Sequence, residues 1–231
     1  MTEHKLIVVI GAYGSGKSEY AINLAKDFND KDHDVVLCDM DVVNPYFRSR
    51  DVREQFEDIG IQVVAPEGEF KHADLPMISP RIRGMIMKTD RTVILDVGGD
   101  PAGARTLGRF VPEIKKRGYE LHFVVNINRP FTSNPAEIKL MLEMIESLSS
   151  LKVTELISNA NLMEFTDEKV VSEGVEVVQE VANDLGLAFH KYLVLDKFQE
   201  AIPENIGNKK RIVLKYFLNK PWEQKLIYKG I

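Results

Sequence analysis

The residue types best suited to chemistry lie near the start of the chain, in a glycine-rich segment that reads Gly-Ala-Tyr-Gly-Ser-Gly-Lys-Ser from position 11 to position 18. It matches the pattern G-x-x-x-x-G-K-[ST] in full, between a short apolar run and a helix-compatible stretch. Glycines let several backbone N–H donors converge on phosphate oxygens. Lys17 is expected to reach the β- and γ-phosphates, and the Ser18 hydroxyl is expected to ligate Mg²⁺. The residues predicted to bind the nucleotide through this segment are Gly11, Gly14, Ser15, Gly16, Lys17, Ser18 and Glu19.

Two other interpretations of this segment are less favoured. A glycine-rich turn between a strand and a helix could bind nothing. A dinucleotide-binding G-x-G-x-x-G pattern is absent, because Glu19 stands where the third glycine would follow Gly14 and Gly16. The phosphate loop is therefore the preferred interpretation.

Carboxylates that could serve a bound magnesium ion follow two of the expected strands. Asp96 ends the apolar run 92–96, and Gly99 follows it in a D-x-x-G turn whose backbone could approach a γ-phosphate. Asp39 and Asp41 end the second run, one residue apart, so both point to the same side of an extended segment. Either could lie near Mg²⁺ or orient an attacking water. The alternative is that these carboxylates only cap the helices that follow them.

Arginines in other segments could contact a ligand or a partner. Arg129 follows the fifth expected strand on the same edge as the phosphate loop, with a simple helix-entry turn as the alternative. The segment 73–83 is rich in proline and arginine, which suits a mobile switch or a partner surface. A substrate cleft could be lined by Arg48, Arg50 and Arg81.

Short runs rich in Val, Ile and Leu alternate with helix-length segments, and these elements must position the residues above. Continuous apolar runs without polar alternation are typical of strands covered on both faces. Strands are predicted at 5–10, 34–38, 61–64, 92–96, 121–126, 154–158 and 188–194. Helices are predicted at 18–28, 45–59, 74–87, 102–116, 135–149 and 167–185, with Asn134 as the N-cap of the fifth. This alternation predicts an α/β fold with a mostly parallel sheet of about seven strands and helices on both faces.

Length and composition exclude several classes of protein. The 231 residues are 44% hydrophobic and 28% charged, which is ordinary for a globular protein, and the net charge of −5 does not indicate a nucleic-acid-coating protein. The single cysteine, Cys38, cannot form an internal disulfide, and no apolar run approaches the length of a membrane span. We expect a cytoplasmic protein with one domain over residues 1–231, in which 196–231 form a C-terminal extension.

The motifs resemble those of the SIMIBI class of P-loop NTPases and, within it, the nucleotide-binding domains of the CobQ/CobB/MinD/ParA type. The resemblance covers about residues 5–195 in element order, and it rests on the phosphate loop, on Asp39 and Asp41, and on Asp96 with Gly99. It implies a P-loop three-layer sandwich, Mg²⁺-dependent nucleotide hydrolysis and, in many members, a homodimer with nucleotide at the interface.

The resemblance also implies roles for single residues. Three positions match the Mg²⁺ shell of the family: Ser18, Asp39 and Asp96. Asp41 matches the residue that orients the attacking water, which makes Lys17 and Asp41 the candidate catalytic residues. Asn159, after the sixth strand, matches the adenine-binding asparagine. Ala12 stands where MinD and ParA members carry a signature lysine that reaches the partner's nucleotide.

These residues together lead us to expect a Mg²⁺-dependent ATPase that acts as a nucleotide switch. A guanine-specific [NT]-K-x-D element is absent, because the nearest matches at 208–211 and 219–222 lack the aspartate, and this favours ATP over GTP. The alternatives are a P-loop phosphotransferase or ligase acting on a small molecule or polynucleotide, a GTPase, and a non-catalytic nucleotide-binding regulator. The expected partners are the nucleotide, a second copy of the chain, and an unknown protein partner or acceptor substrate.

Overall fold

The computed structural model describes residues 4–41, 53–65, 81–99 and 101–218. The strands in these ranges are β1 (Leu6–Gly11), β2 (Val35–Met40), β3 (Gln62–Val64), β4 (Thr92–Val97), β5 (Glu120–Val125), β6 (Glu155–Ser158), β7 (Lys191–Leu195), β8 (Asn205–Ile206) and β9 (Lys209–Leu214). The α-helices are α1 (Lys17–Asn29), α2 (Arg53–Glu57), α3 (Arg81–Ile86), α4 (Pro101–Gly108), α5 (Val111–Arg117), α6 (Pro135–Ser149) and α7 (Glu168–Leu185). Short 3-10 helices span Met163–Phe165 and Asp196–Ala201.

The described strands form one sheet in the order β3-β2-β4-β1-β5-β6-β7-β9-β8. Neighbouring strands are parallel, except that β8 and β9 are antiparallel. β1 lies between β4 and β5, so successive strands are added on one side of β1 first and on its other side afterwards. Ligands of open α/β sheets bind at the carboxyl ends of the strands beside such a point, which is where the loop after β1 lies.

Apolar side chains cover both faces of the sheet, as the continuous apolar runs predict. Leu6, Val8 and Ile10 of β1 pack into one cluster with buried residues of α3 to α7. Ile7 and Val9 point to the other face, into a cluster with residues of α1 and α2. This double burial explains why the central strands lack polar alternation.

The helix predicted at 135–149 is confirmed, and the one predicted at 102–116 is wrong as a single element. Asn134 caps α6, because its Oδ1 accepts the backbone N–H of Glu137 at 3.1 Å. In place of one helix over 102–116, α4 ends at Gly108 and α5 begins at Val111. Pro112 explains the break, because in a continuous helix its ring would clash with the carbonyl of Gly108 four residues earlier.

The sheet is larger than the seven strands expected from the sequence. β8 and β9 lie within residues 196–231, and β9 runs parallel to β7. The helices predicted at 45–59 and 74–87 lie only partly within the described residues. In the described parts, α2 and α3 are helical. None of the helices in the described ranges combines the length and the apolar character that a membrane crossing needs.

Candidate phosphate and metal site

The predicted phosphate loop connects β1 to α1 at the carboxyl edge of the sheet. Gly14 and Gly16 have positive φ angles of 74° and 84°, which residues with side chains rarely adopt. Gly16 is the N-cap of α1, and no side chain caps the first turn of this helix. The N–H groups of that turn are therefore left for a ligand, and the positive end of the helix dipole favours an anion there.

Neighbouring segments lie against the phosphate loop and account for its glycines. A Cβ atom on Gly11 would collide with the carbonyl oxygen of Val124 in β5, and one on Gly16 would collide with the side chain of Asn159. A Cβ atom on Gly99 would collide with the carbonyl oxygen of Gly11. The D-x-x-G turn and Asn159 thus both lie against the loop.

Lys17 is buried and forms an ion pair with Asp41. Its Nζ lies 2.8 Å from Oδ2 of Asp41 and 3.4 Å from Oγ of Ser18. Burial by itself would lower the pKa of Lys17, but the carboxylates of Asp96, Asp41 and Asp39 outweigh burial and raise that pKa above its ordinary value. Lys17 therefore stays positively charged at the start of α1.

Asp39 and Asp96 lie side by side, because they are paired residues of the neighbouring strands β2 and β4. Asp39 accepts the backbone N–H of Asp41 at 3.0 Å. Asp96 is fully buried, and neither of its carboxylate oxygens has a hydrogen bond to a described residue. Burial raises the pKa of Asp96 to about 7. The charges of Asp39 and Asp41 add to this rise, whereas the charge of Lys17 and the nearby Ser18 hydroxyl oppose it.

The site has the donors that a magnesium ion prefers. Ser18, Asp39 and Asp96 offer a hydroxyl and two carboxylates, and the unpartnered oxygens of Asp96 suit a cation. Mg²⁺ is usually held by one or two carboxylates together with substrate phosphates. No group of three or more His, Cys, Asp or Glu side chains in the described ranges is placed so that it could hold a metal ion by itself. The residues fit Mg²⁺ that arrives with a nucleotide, and the assignment stays a prediction.

Glu19 is the predicted contact residue whose side chain points away from the loop. Its carboxylate accepts the backbone N–H groups of Phe217 and Leu218 at 2.5 and 3.3 Å. Burial raises the pKa of Glu19 to about 7, and these two hydrogen bonds oppose that rise. Glu19 can therefore serve a phosphate through its backbone N–H, within the first turn of α1.

Two side chains from other loops bind the backbone of the phosphate loop. Nδ2 of Asn159 donates to the carbonyl of Ser15 at 2.7 Å. Nε of Arg129 donates to the carbonyl of Gly14 at 3.2 Å. Asn159, which the resemblance assigns to adenine, thus contacts the phosphate loop. Arg129 contacts this loop as well, which a simple helix-entry turn would not require.

Asn126, at the end of β5, is a site residue that sequence analysis missed. Its Oδ1 accepts the N–H groups of Asn128 and Asn161 at 3.0 and 3.3 Å, and its Nδ2 donates to the carbonyl of Asn161 at 3.1 Å. It therefore ties the loop that carries Arg129 to the loop that carries Asn159. The available signal was an asparagine directly after each of two neighbouring parallel strands. The predicted cleft residues Arg48 and Arg50, and most of 73–83, lie outside the described residues.

Solved structures of other proteins share this arrangement of strands and helices. No family model matches the chain, and no curated protein matches it. The chain is similar to cell division protein FtsY of Thermotoga maritima, with a TM-score of 0.56 and 17% identity over 83% of this chain and 62% of that one. It is similar to chloroplast FtsY of Physcomitrella patens, with a TM-score of 0.54 and 15% identity over 94% and 63% of the two chains. FtsY of Mycoplasma mycoides matches with a TM-score of 0.51 and 14% identity over 82% and 60%. The chain has the fold of a SIMIBI-class P-loop NTPase.

The SIMIBI-class fold confirms the expected α/β class and the mostly parallel sheet. The chain spans about three fifths of the length of these FtsY structures, and at 14–17% identity the likeness concerns the fold. The finer resemblance to CobQ/CobB/MinD/ParA domains is not confirmed by these matches. Within the SIMIBI-class fold, the phosphate loop, Asp39 and Asp96 lie together at the carboxyl edge of the sheet.

Proposed function

We propose that the chain is a Mg²⁺-dependent nucleoside triphosphatase that acts as a nucleotide switch. The observation that carries this proposal is the meeting of Lys17 with three carboxylates, those of Asp39, Asp41 and Asp96, at the uncapped start of α1. Free N–H groups and a lysine suit the phosphates. The surplus of carboxylates suits the metal ion that accompanies them.

The ion pair between Lys17 and Asp41 suggests how binding prepares hydrolysis. Asp41 holds the lysine ammonium when no phosphate is present. A γ-phosphate carries more negative charge and offers more acceptor oxygens than one carboxylate, so Lys17 exchanges Asp41 for the phosphate. The released Asp41 then orients a water molecule for in-line attack and accepts its proton, while Lys17 stabilises the charge on the phosphate oxygens.

Ser18, Asp39 and Asp96 are the residues that hold Mg²⁺ in this proposal. When bound, the ion supplies positive charge beside the β- and γ-phosphates. It also gives the oxygens of Asp96 the partner that they lack among the described residues. Asp96 then bears its charge next to a cation instead of beside two other carboxylates.

The D-x-x-G turn supports the switch function. Gly99 packs against the backbone of the phosphate loop, so the turn lies where it can contact a γ-phosphate. Gly98 is also close, because a Cβ atom there would lie 3.0 Å from Oδ1 of Asp41. Loss of the γ-phosphate would therefore change the contacts of both Asp41 and the turn that follows Asp96.

ATP is the preferred nucleotide, and GTP is the second candidate. Guanine presents two N–H donors that a carboxylate accepts, but the segment after β6 reads Asn159-Ala160-Asn161-Leu162 and contains no carboxylate. Residues 208–211, one of the two near matches to the guanine-specific element, enter β9 and contain no aspartate. GTP stays in consideration because an asparagine amide both donates and accepts hydrogen bonds and can therefore serve either base.

Lys17→Ala tests the proposal, with Lys26→Ala, at a partly buried lysine in the last turn of the same helix, as the matched control. Lys17→Ala should weaken binding of Mg²⁺-ATP at least about a hundredfold, because it removes the charge that faces the phosphates. Lys26→Ala should bind as the unchanged protein does. Binding is measured by titration with a fluorescent ATP analogue, and competition with unlabelled ATP and GTP decides the base. Equal affinity of the two variants would refute the phosphate site.

The remaining hypotheses are separated by simple controls. A phosphotransferase would consume ATP slowly until an acceptor is added and would then transfer the γ-phosphate to that acceptor, whereas a switch hydrolyses ATP without one. A homodimer with nucleotide at its interface would double its mass in sedimentation when Mg²⁺ and a non-hydrolysable ATP analogue are added. Asp41→Ala should bind nucleotide and lose hydrolysis, and a binding-only regulator would show no hydrolysis to lose.

A further inference from the structure

The segment that follows β9 is bound to α1 close to the phosphate loop. We call residues 215–218 the C-terminal strap. Oδ1 of Asn23 accepts the N–H of Lys215 at 2.8 Å, and Nδ2 of Asn23 donates to the carbonyl of Lys215 at 2.8 Å. The side-chain amide of Asn23 therefore pairs with the strap as a peptide group of a neighbouring strand would.

Glu19 binds the next two N–H groups of the strap. Its carboxylate accepts the backbone N–H groups of Phe217 and Leu218. Only 7% of Glu19 is exposed, so the strap supplies partners to a carboxylate that water reaches poorly. Leu218 is buried in the same apolar cluster as residues of α1, which anchors the end of the strap.

The strap also contacts the helix that follows the Asp41 segment. The ring of Phe217 lies edge-on to the ring of Phe56 in α2, with 5.7 Å between centroids. α2 is the first described element after Asp41 in the chain. The strap therefore joins the helix that begins at the phosphate loop to the helix that follows a proposed catalytic carboxylate.

The position of Glu19 in α1 gives this contact a consequence for phosphate binding. Gly16 is the N-cap, so Glu19 is the third residue of the helix. A glutamate at this position commonly turns back to bind the N-cap N–H group, and its charge is favourable at a helix N-terminus. Here those N–H groups are the ones that the phosphate needs. The carboxylate points to the strap instead.

We propose that the C-terminal strap keeps the Glu19 carboxylate off the phosphate loop, so that undocking the strap turns Glu19 into an internal competitor of the phosphate. The inference rests on the proposed nucleotide function and adds regulation to it, in which the docked strap permits phosphate binding and the freed Glu19 side chain inhibits it. A docked strap leaves the first turn of α1 open to an anion. An undocked strap frees a carboxylate that fills the same N–H groups and repels phosphate. Glu19 and Asn23 are thus positioning residues, coupled to nucleotide affinity through the strap.

The test is a double-mutant comparison on the full chain. Asn23→Ala removes both hydrogen bonds to Lys215 and should weaken Mg²⁺-ATP binding about five- to tenfold, a typical size for coupling between two sites. Adding Glu19→Ala should restore the affinity to within about twofold, because no carboxylate is left to compete. Asn29→Ala is the matched control, since Asn29 also lies on α1 and donates to a backbone carbonyl, that of Ile59, away from the strap. Hydrogen exchange at residues 215–218 reports the docking of the strap in each variant.

Several results would overturn the proposal. One is unchanged ATP affinity in an Asn23→Ala protein whose strap amides exchange faster. Another is further loss of ATP affinity in the double variant, because two changes to a purely structural contact would each lower the affinity. If Asn23→Ala leaves hydrogen exchange at residues 215–218 unchanged, a chain that ends at Leu214 takes its place. That chain must bind Mg²⁺-ATP about five- to tenfold more weakly and must recover its affinity when Glu19→Ala is added. Failure of the unchanged protein to bind ATP or GTP would instead refute the proposed function.

Discussion

Charged side chains come together at both the amino-terminal and the carboxyl-terminal edge of the sheet, and the two edges differ in how those charges are matched. At the amino-terminal edge, His122 of β5 lies between a tyrosine and two glutamates. Its Nδ1 is 3.1 Å from the hydroxyl of Tyr20, and its Nε2 is 3.3 Å from Glu120 and 3.4 Å from Glu155. Each glutamate also has a lysine partner.

The lysine partners complete the balance at the amino-terminal edge. Nζ of Lys5 lies 2.6 Å from Glu120, and Nζ of Lys191 lies 3.2 Å from Glu155. At the carboxyl edge, by contrast, one lysine faces three carboxylates, and Asp96 has no hydrogen bond in the described part of the chain. A matched ion pair needs no further partner, whereas a buried charge that is left unmatched is costly. In the proposed function, the contrast separates the part of the sheet that maintains structure from the part that binds a ligand.

The largest expected effect concerns Asp96. Asp96→Asn should reduce Mg²⁺-dependent hydrolysis about a hundredfold or more, because it removes a proposed metal ligand. The same change should stabilise the nucleotide-free protein by about 1–3 kcal/mol, because it removes a buried carboxylate without a hydrogen-bond partner among the described residues. Phosphate release and urea unfolding measure the two effects. A less stable variant would show that Asp96 is matched after all.

The counterpart at the amino-terminal edge is His122→Ala, with an intermediate effect. It should lower the free energy of unfolding by about 2–3 kcal/mol, since the Tyr20 hydroxyl and two glutamates lose a buried partner. Hydrolysis by the folded variant should stay close to that of the unchanged protein. A large loss of hydrolysis without loss of stability would mean that this edge contributes to catalysis.

The smallest effect is a difference in pH dependence between the two edges. His122 and then Lys5 lower the pKa of Glu120 from 4.5 to about 2, so its contribution to stability is present above pH 4.5 and is lost as the pH falls towards 2. Burial raises the pKa of Asp96 from 3.8 to about 7, so the folded state holds this proton more tightly, and stability is lost as the pH rises from 3.8 to 7.

Urea unfolding of nucleotide-free protein across the pH range checks both directions. In a plot of unfolding free energy against pH, Asp96→Asn should reduce the slope between pH 3.8 and 7 and leave the loss of stability below pH 4.5 unchanged. Part of that slope should remain, because the pKa of Glu19 is also raised to about 7. An unaltered slope in Asp96→Asn would contradict the raised pKa of Asp96.

The parts of the site that sequence could predict are those set by local pattern. The phosphate loop is one continuous motif, and Asp39 and Asp96 each end a recognisable apolar run. Since parallel strands end at the same edge, their proximity follows without further information, and the structure pairs them directly. The Asn134 cap is likewise a contact across three residues.

The parts that sequence could not predict depend on contacts between distant positions. Glu19 looks like a first-turn helix residue, and its partner Phe217 lies 198 positions later in the chain. The link between Asn126 and Asn161 crosses 35 positions and two elements. β9 was expected only as part of an extension, because its place beside β7 is decided by packing and not by its own residues.

The distance between Glu19 and its partners also bears on how the protein is made. Chains fold from the amino terminus as they are synthesised, and contacts across long separations form late. The phosphate loop leaves the ribosome well before the residues that draw Glu19 away from it, which are translated almost two hundred residues later. A nascent chain would consequently acquire its affinity for nucleotide only after residues 217 and 218 have been made, when the sheet that supports the site has been assembled.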